Sequence, residues 1–150
     1  MPAYGLLTMY KLEAKIGTSV SGTTWTYSTL DDGFDNISEA LNEVVQQYQF
    51  LSDDGFARNH VTGMAPAFTL TGRRVLGDTA QDYIFSKKYS LDEDRQSSFQ
   101  ISWYDTASTP VKHTVTVDCT LCNIQEWSGA STDDSAISVE IRFDGAPTIS

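Results

Sequence analysis

Apolar and polar residues alternate along much of the chain, and this alternation predicts β-strands. The segments that carry the pattern are residues 4–16, 98–104, 111–121 and 136–144. In the last segment, for example, Val139 and Ile141 share one face while Glu140 lies on the other. A period of two with one apolar face is typical of half-buried strands in antiparallel sheets. The pattern therefore predicts a mainly β protein.

One segment has the spacing of an α-helix instead. The residues that share a face at this spacing are Ala80, Tyr83, Ile84 and Lys87. Asp78 lies where a carboxylate can cap the first turn. Lys87 and Lys88 lie at the other end, where the helix dipole favours cations. We therefore predict one α-helix, over about 78–88.

The sequence "NISEALNEVVQQYQF" fits two kinds of secondary structure. Its apolar spacing suits a helix that begins at Asn36, with Glu39 completing a capping box. However, the valines, tyrosine and phenylalanine in its second half favour strands. We interpret the stretch as a short helix over 37–42 and a strand over about 43–52. A helix through 43–52 is the alternative interpretation.

Turn residues divide the rest of the chain. The sequence "SDDGF" at 52–56 predicts a hairpin turn into a strand over 58–71, with Gly55 at positive φ. Loops are predicted over about 18–36, 106–110 and 128–134, where Gly, Ser, Thr, Asp and Pro cluster. The first loop is long, and long loops often contact partners. With 150 residues, the chain suits a single domain, 1–150.

The segment "TGRRVLGDT" resembles a phosphate-binding loop but lacks its key cation. Gly72 and Gly77 have the spacing of the pattern G-x-x-x-x-G-K-[ST]. The position of the lysine is occupied by Asp78, whose carboxylate would repel phosphate. The preceding residues alternate, whereas a phosphate loop follows a continuously apolar, buried strand. We interpret the segment as a connector from a strand to the helix.

The net charge of −10 limits the classes of partner. An acidic surface repels nucleic acid and anionic membranes, and DNA-binding domains are usually basic. No segment is apolar for the roughly 18 residues of a membrane span. The first residues lack the basic and apolar regions of a signal peptide. We therefore expect synthesis in a cytoplasm and no membrane span.

Two cysteines form a C-x-x-C sequence, but their context favours a structural role. Cys119 and Cys122 lie in a predicted strand, where residues three apart point to opposite faces. Redox C-x-x-C motifs open a helix instead. Together with His60 and His113 the thiols match no usual zinc spacing. We predict reduced, structural cysteines.

No other motif indicates an active site. The acidic sequences "LDDGFDN" and "LDEDR" do not match a calcium-binding loop. Hydrolase, metalloprotease and dinucleotide-binding signatures are missing. Trp25, Trp103 and Trp127 could form a sugar-binding platform, although packing is the commoner use of tryptophan. We therefore predict no catalytic, cofactor-binding or metal-binding residues and no enzyme activity.

Three sequence stretches resemble one protein family. They are "NEVVQQYQFLSDDGFARNHVTG", "FTLTGRRVLGDTAQDYIF" and the closing "IRFDGAP". Together they resemble the tail tube proteins, or major tail proteins, of long-tailed bacteriophages. The resemblance covers roughly residues 36–147, and "TGRRVLGDTAQDYIF" with "FDGAP" is its most specific part.

The resemblance implies both a fold and an assembly. The fold is an antiparallel β-sandwich or barrel with one flanking helix, and the family has no catalytic residues. Hexameric rings stack into a tube that conducts DNA without binding it specifically. Other tail proteins, namely tape measure, terminator and tail tip, are the implied partners. The implied location is the virion tail, after synthesis in the bacterial host cytoplasm.

Two other classes of function stay open on the sequence. One is another structural subunit of a tail or baseplate, or the tube of a tail-like bacteriocin. The other is a monomeric β-sandwich that binds carbohydrate, which would need an exposed tryptophan platform. The acidic composition fits a DNA conduit, because a basic lumen would hold phosphates and slow DNA transit.

Overall fold

The computed structural model describes residues 7–105 and 109–150, and most of them lie in strands. The strands are β1 (Glu13–Ser21), β2 (Thr24–Thr29), β3 (Phe34–Ala40), β4 (Val44–Tyr48), β5 (Arg58–Gly63), β6 (Ala67–Arg73), β7 (Gln96–Tyr104), β8 (Lys112–Gln125), β9 (Ala136–Phe143) and β10 (Thr148–Ile149). One α-helix within these residues, α1, spans Thr79–Ser86. The predicted mainly β class with one helix is confirmed. No helix of the described residues has the length and apolar character needed to cross a bilayer.

The strands form one large antiparallel sheet and one separate hairpin. The order in the sheet is β2-β1-β7-β8-β9-β6-β3, and β10 pairs with β8 beside this path. Strands β4 and β5 pair only with each other. Among the described residues, the path of the large sheet therefore ends at β2 and β3, and the hairpin lies outside it.

The sheet curls around one apolar core. Ile16 on β1 and Leu70 on β6 belong to the same buried cluster, although three strands separate β1 from β6. In a flat sheet these strands would lie about 19 Å apart, at about 4.8 Å per step. Strong curvature brings them together, and α1 adds Ile84 and Phe85 to the same core.

The predicted apolar faces point into this core. Phe99, Val117 and Val139, on three neighbouring strands, are all buried. The first predicted strand, over 4–16, is only partly correct. Residues 9–11 form a 3₁₀ turn, β1 begins at Glu13, and residues 4–6 lie outside the described part.

The predicted helix over 37–42 is wrong, since this segment begins within strand β3. Ile37 pairs with Leu70 and Ser38 with Thr69 on β6. Ile37 packs against the core, which a helix at this place would also allow. The segment is a strand because it pairs with β6, some thirty residues later in the chain. The spacing of apolar residues within the segment contains no information about such a distant partner.

The predicted long loop over 18–36 is also wrong. It contains the second half of β1, all of β2 and the start of β3. Gly22, at φ 63°, provides the left-handed turn between β1 and β2. Thr and Ser residues suggested a loop, but these residue types also suit an exposed edge strand. Of the loop predicted over 106–110, residues 106–108 lie outside the described part.

The hairpin prediction is confirmed with one change. β4 lies within the predicted strand over 43–52, and Gly55 has φ 88° in the turn. The predicted strand over 58–71 is divided into β5 and β6 by the residues 64–66. Pro66 lies in this break, where a ladder hydrogen bond from its nitrogen is impossible. The break separates the hairpin from the large sheet.

Candidate assembly surfaces

The segment that resembles a phosphate loop is a packed connector between β6 and α1. Asp78 accepts a hydrogen bond of 3.0 Å from the backbone N–H of Gln81 and so caps the helix, as predicted. Gly72 lies against the backbone of Gly33, where a Cβ would approach its carbonyl oxygen to 2.0 Å. Gly72 is therefore needed because the backbone of β6 packs closely against the backbone at Gly33.

A cluster of charged residues fixes α1 to the end of β8. Arg74 contacts Glu126 at 2.9 Å and Asp82 at 2.8 Å, and Lys88 contacts Glu126 at 2.6 Å. Partial burial favours a higher pKa for the Glu126 carboxyl, but the hydrogen bonds from Lys88 and Arg74 outweigh burial and lower this pKa. The carboxylate is thus stabilised in its charged form, which gives the cluster a structural role.

The two cysteines occupy different environments on β8. Cys119 is completely buried in the core. Burial, and then the nearby Asp144 and Asp118, raise the pKa of its thiol far above the usual range. Cys122 is partly exposed, and its thiol lies 3.6 Å from the carbonyl oxygen of Thr120. Neither residue forms a disulfide. A buried thiol of raised pKa is unreactive, so Cys119 acts as a core residue.

The two histidines lie on different elements and contact different partners. His113, on β8, lies 3.0 Å from a carboxylate oxygen of Asp105. His60, on the hairpin, packs edge-on against Tyr48. Within residues 7–105 and 109–150, no three His, Cys, Asp or Glu residues group as metal ligands would.

The three tryptophans have separate roles. Trp25 covers Gly17 on the neighbouring strand, where a Cβ would approach the ring to 2.6 Å. Trp103 packs beside His113, and Trp127 lies under the ammonium group of Lys88. No ring contact joins two tryptophans in the described residues. The described contacts therefore do not assemble a shared tryptophan platform.

The outer face of the large sheet is polar and carries charged residues of both signs, namely Glu13, Lys15, Lys112, Asp118, Glu140 and Arg142. Cross-strand pairs on this face join Thr69 with Glu140, and Thr71 with Ser138. Further such pairs on β7 and β8 are Gln100 with Thr116, Ser102 with Thr114, and Ser98 with Asp118. Glu140 accepts hydrogen bonds from Asn123 and Arg142, which partly neutralise it. Ser98 and Ser102 are buried, so the exposed part of this face presents hydroxyl, amide and charged groups.

The β4–β5 hairpin exposes apolar side chains that no core covers. Every residue of β4 is exposed, and so is nearly all of β5. The exposed large apolar residues of this region are Leu41, Val44, Val45, Tyr48, Phe50, Leu51, Phe56, Val61 and Met64. A two-stranded hairpin is marginally stable in water without packing partners. The exposed apolar residues of the β4–β5 hairpin therefore indicate a surface that binds another protein segment.

The large sheet also has two open edges. Strands β2 and β3 each pair on one side only among the described residues. An open edge presents unpaired N–H and C=O groups that can bind another strand, and proteins usually block such edges. Together with the hairpin, these edges form three candidate surfaces for assembly.

Comparisons with known proteins reveal similarity at the level of the fold. No protein-family model and no curated protein sequence matches the chain. Among solved structures, the tail of an empty GTA particle, computed with C6 symmetry, matches with a TM-score of 0.72 and 13% identity. That match covers 97% of this chain and 99% of the other.

Two further structures have the same fold. The SPP1 tail tube matches with a TM-score of 0.63 and 13% identity, over 96% of this chain and 78% of the other. The tube-terminating cap of the anti-feeding prophage matches with a TM-score of 0.62 and 15% identity, over 100% and 94%. The protein therefore has the tail tube fold, and the predicted fold class is confirmed.

Proposed function

We propose that this protein is a structural subunit of a phage tail tube. In this proposal six copies form a ring, as in the sixfold GTA tail, and rings stack into a conduit for DNA. The main support is the exposed apolar β4–β5 hairpin on a chain with the tail tube fold. A stable monomer rarely leaves so many large apolar residues uncovered.

The open edges support a ring in particular. Strand β2 of one copy can pair with strand β3 of the next, since each has one unpaired side among the described residues. Contacts between two different surfaces are head-to-tail and close into rings when the rotation allows. We expect each contact to bury more than about 1,000 Å², the area typical of stable interfaces.

The outer face of the sheet is our candidate for the lumen wall. It carries hydroxyl and amide groups with charged residues of both signs, and the whole chain has a net charge of −10. A lumen rich in lysine and arginine would bind phosphates through counterion release and slow DNA transit. A neutral to acidic wall lets DNA pass without specific binding.

The remaining parts of the proposal follow from this role. The protein acts without catalysis, in the virion tail, after synthesis in the host cytoplasm. Its partners are further copies and the tape measure, terminator and tail tip proteins.

The same fold in an anti-feeding prophage cap and baseplate keeps a related tail subunit or a tail-like bacteriocin tube as the second candidate. The separate roles of the tryptophans disfavour a carbohydrate-binding module.

Electron microscopy of the purified protein and of the native particle tests the proposal. Stacked sixfold rings with a non-basic lumen are the expected result. A tube subunit is also among the most abundant proteins of its particle, which gel densitometry measures. A lumen lined by lysine and arginine, or a subunit found only at the tail tip, would contradict the proposal.

A further inference from the structure

A groove opens where the two ends of the curled sheet approach each other. Its volume is about 590 Å³. The lining residues that reach the core are apolar, namely Leu12, Ala14, Leu30, Phe34, Ile37 and Leu70. Polar residues, among them Lys11, Glu13, Thr29 and Asn36, line the rest of the groove. Leu70 is 1% exposed and Leu30 5% exposed, so the groove reaches the core of the protein. We call this depression the edge groove.

Three exposed apolar side chains lie around the tip of the hairpin. Leu51 is 104% exposed, Phe56 is 78% exposed and Phe50 is 54% exposed. We call these three residues the tip knob. Phe50 stacks on Tyr48 and lies below the guanidinium of Arg58, so one side of the knob is already ordered. Exposed but ordered apolar side chains lose little conformational entropy on binding.

A chain does not fill its own edge groove with its tip knob. None of the described hairpin residues lines the groove, and Leu51 is fully exposed. The groove lies beside Phe34 and Ile37 in the first half of β3, whereas the hairpin follows the other end at Ala40. A seven-residue strand covers about 20 Å, so the two features lie at opposite ends of β3.

We propose that the tip knob of one copy inserts into the edge groove of the next copy. This inference rests on the proposed tube function and names the surfaces that join its subunits. A cavity of about 150 Å³ accepts one benzene ring, so a groove of 590 Å³ has room for the knob's two rings and its leucine. Knob and groove are different surfaces, so the contact is head-to-tail and propagates.

Charges at the two surfaces support this pairing. Arg58, next to the knob, keeps 60% of its side chain exposed despite its ion pair with Asp53. The rim of the groove carries Asp31 and Asp35, both exposed, and one exposed lysine, Lys11. The two aspartates outnumber the lysine. Insertion places the guanidinium near these carboxylates, and such complementarity gives orientation and specificity to the contact.

Chemical crosslinking between engineered cysteines tests the contact. In a Cys122→Ser background, the chain receives Leu51→Cys in the knob and Ile37→Cys in the groove, and assembled tubes are treated with a short bismaleimide. We expect a ladder of trimers and longer oligomers on denaturing gels, because head-to-tail contacts link each chain to two others. A matched chain with Leu51→Cys and Leu76→Cys, the latter exposed on the β6–α1 connector, should give no ladder.

An assembly measurement supplies the second test. Leu51→Ser alters a fully exposed side chain and should leave the melting temperature unchanged. We expect its tube assembly to slow by about tenfold or more, the effect of losing one well-packed anchor. Leu76→Ser, at a site 82% exposed, is the control and should assemble at the normal rate.

The outcomes separate this inference from the function it rests on. Normal tube assembly of Leu51→Ser, together with no ladder from tubes of the chain with Leu51→Cys and Ile37→Cys, would overturn the knob-and-groove contact and leave the tube function standing. In tubes that combine Leu51→Ser with Ile37→Cys, protection of the engineered groove thiol from alkylation would show that another segment fills the groove, which also overturns the contact. A wild-type chain that forms neither rings nor tubes overturns both proposals.

Discussion

Gln81 on α1 donates a hydrogen bond of 2.9 Å from its Nε2 to the backbone carbonyl of Asp32, in the loop between β2 and β3. The same amide donates to the carbonyl of Arg73 and accepts from the N–H of Val75. Gln81 is completely buried. One side chain therefore joins the helix, the connector before it and a loop 49 residues away.

The first prediction concerns this amide. Leucine is similar in size to glutamine, but Gln81→Leu leaves the carbonyls of Asp32 and Arg73 and the N–H of Val75 without their hydrogen-bond partner. We expect a loss of about 1–3 kcal/mol in the free energy of unfolding for each group that stays buried and unpaired. Urea denaturation measures it. Gln125→Leu, at an exposed site on β8, is the control and should change little. An equal, small effect for both variants would contradict the role of Gln81.

The second prediction concerns the pH dependence of the charged cluster. Because the folded state lowers the pKa of Glu126, its ion pairs stabilise the protein fully above the ordinary carboxyl range. This contribution is lost as the pH falls through the lowered, folded-state pKa. We expect Glu126→Gln to lower the free energy of unfolding by about 2 kcal/mol at pH 7.

The difference in the free energy of unfolding between wild type and Glu126→Gln should shrink below about pH 4, which is near the pKa of glutamate in an unfolded chain. Denaturation series from pH 7 to pH 3 measure the difference. Exposed Glu93→Gln is the matched control, and its cost should be near zero at pH 7. A Glu126→Gln cost that stays constant over this range would show that packing, and not charge, fixes the cluster.

The third prediction concerns the turn of the hairpin. Gly55 has φ 88°, and a β-branched residue there is strained by about 1–3 kcal/mol. We expect Gly55→Val to slow tube assembly, measured by light scattering, while the melting temperature of the monomer changes little. The hairpin lies outside the core, so its strain acts mainly on assembly. Gly55→Asn is the control, since asparagine tolerates the left-handed region. Normal assembly of Gly55→Val would argue against a role for the hairpin.

The fourth prediction concerns the cysteines. In the native protein, iodoacetamide should modify Cys122 and leave the buried Cys119 unmodified. Cys119→Ser should cost about 1–3 kcal/mol if the hydroxyl stays unpaired, whereas Cys122→Ser should be nearly neutral. The double variant should fold and assemble without zinc. Stoichiometric zinc in the wild type, lost in the double variant, would contradict the structural role.

The fifth prediction concerns the segment that resembles a phosphate loop. ATP with magnesium should not change the melting temperature, because Asp78 caps α1 and Gly72 packs against Gly33. A specific ligand at 100 times its dissociation constant would stabilise the fold by about 2.7 kcal/mol. Thermal unfolding with and without the nucleotide measures the difference. A reproducible shift of several degrees would contradict the connector role.

Elements with a local signal could be predicted from the amino-acid sequence. Alternation in 98–104 and 136–144 predicts β7 and β9, because residues two apart share a face of the strand. Asp78 and helical spacing predict α1, and the sequence "SDDGF" predicts the hairpin turn with Gly55 at positive φ. The lack of a recognisable active-site motif also came from residue types alone.

Elements that pair with distant parts of the chain could not be predicted in the same way. The spacing over 37–42 predicts a helix where β3 lies, because an irregularity between Phe34 and Asn36 interrupts the alternation of this strand. In β2, Trp25 and Tyr27 alternate with Thr24, Thr26 and Ser28, so the strand has a period of two that the loop prediction missed. Their identity comes from pairing with β6 and β1. The edge groove likewise exists only because curvature brings β1 toward β3, which no local pattern encodes.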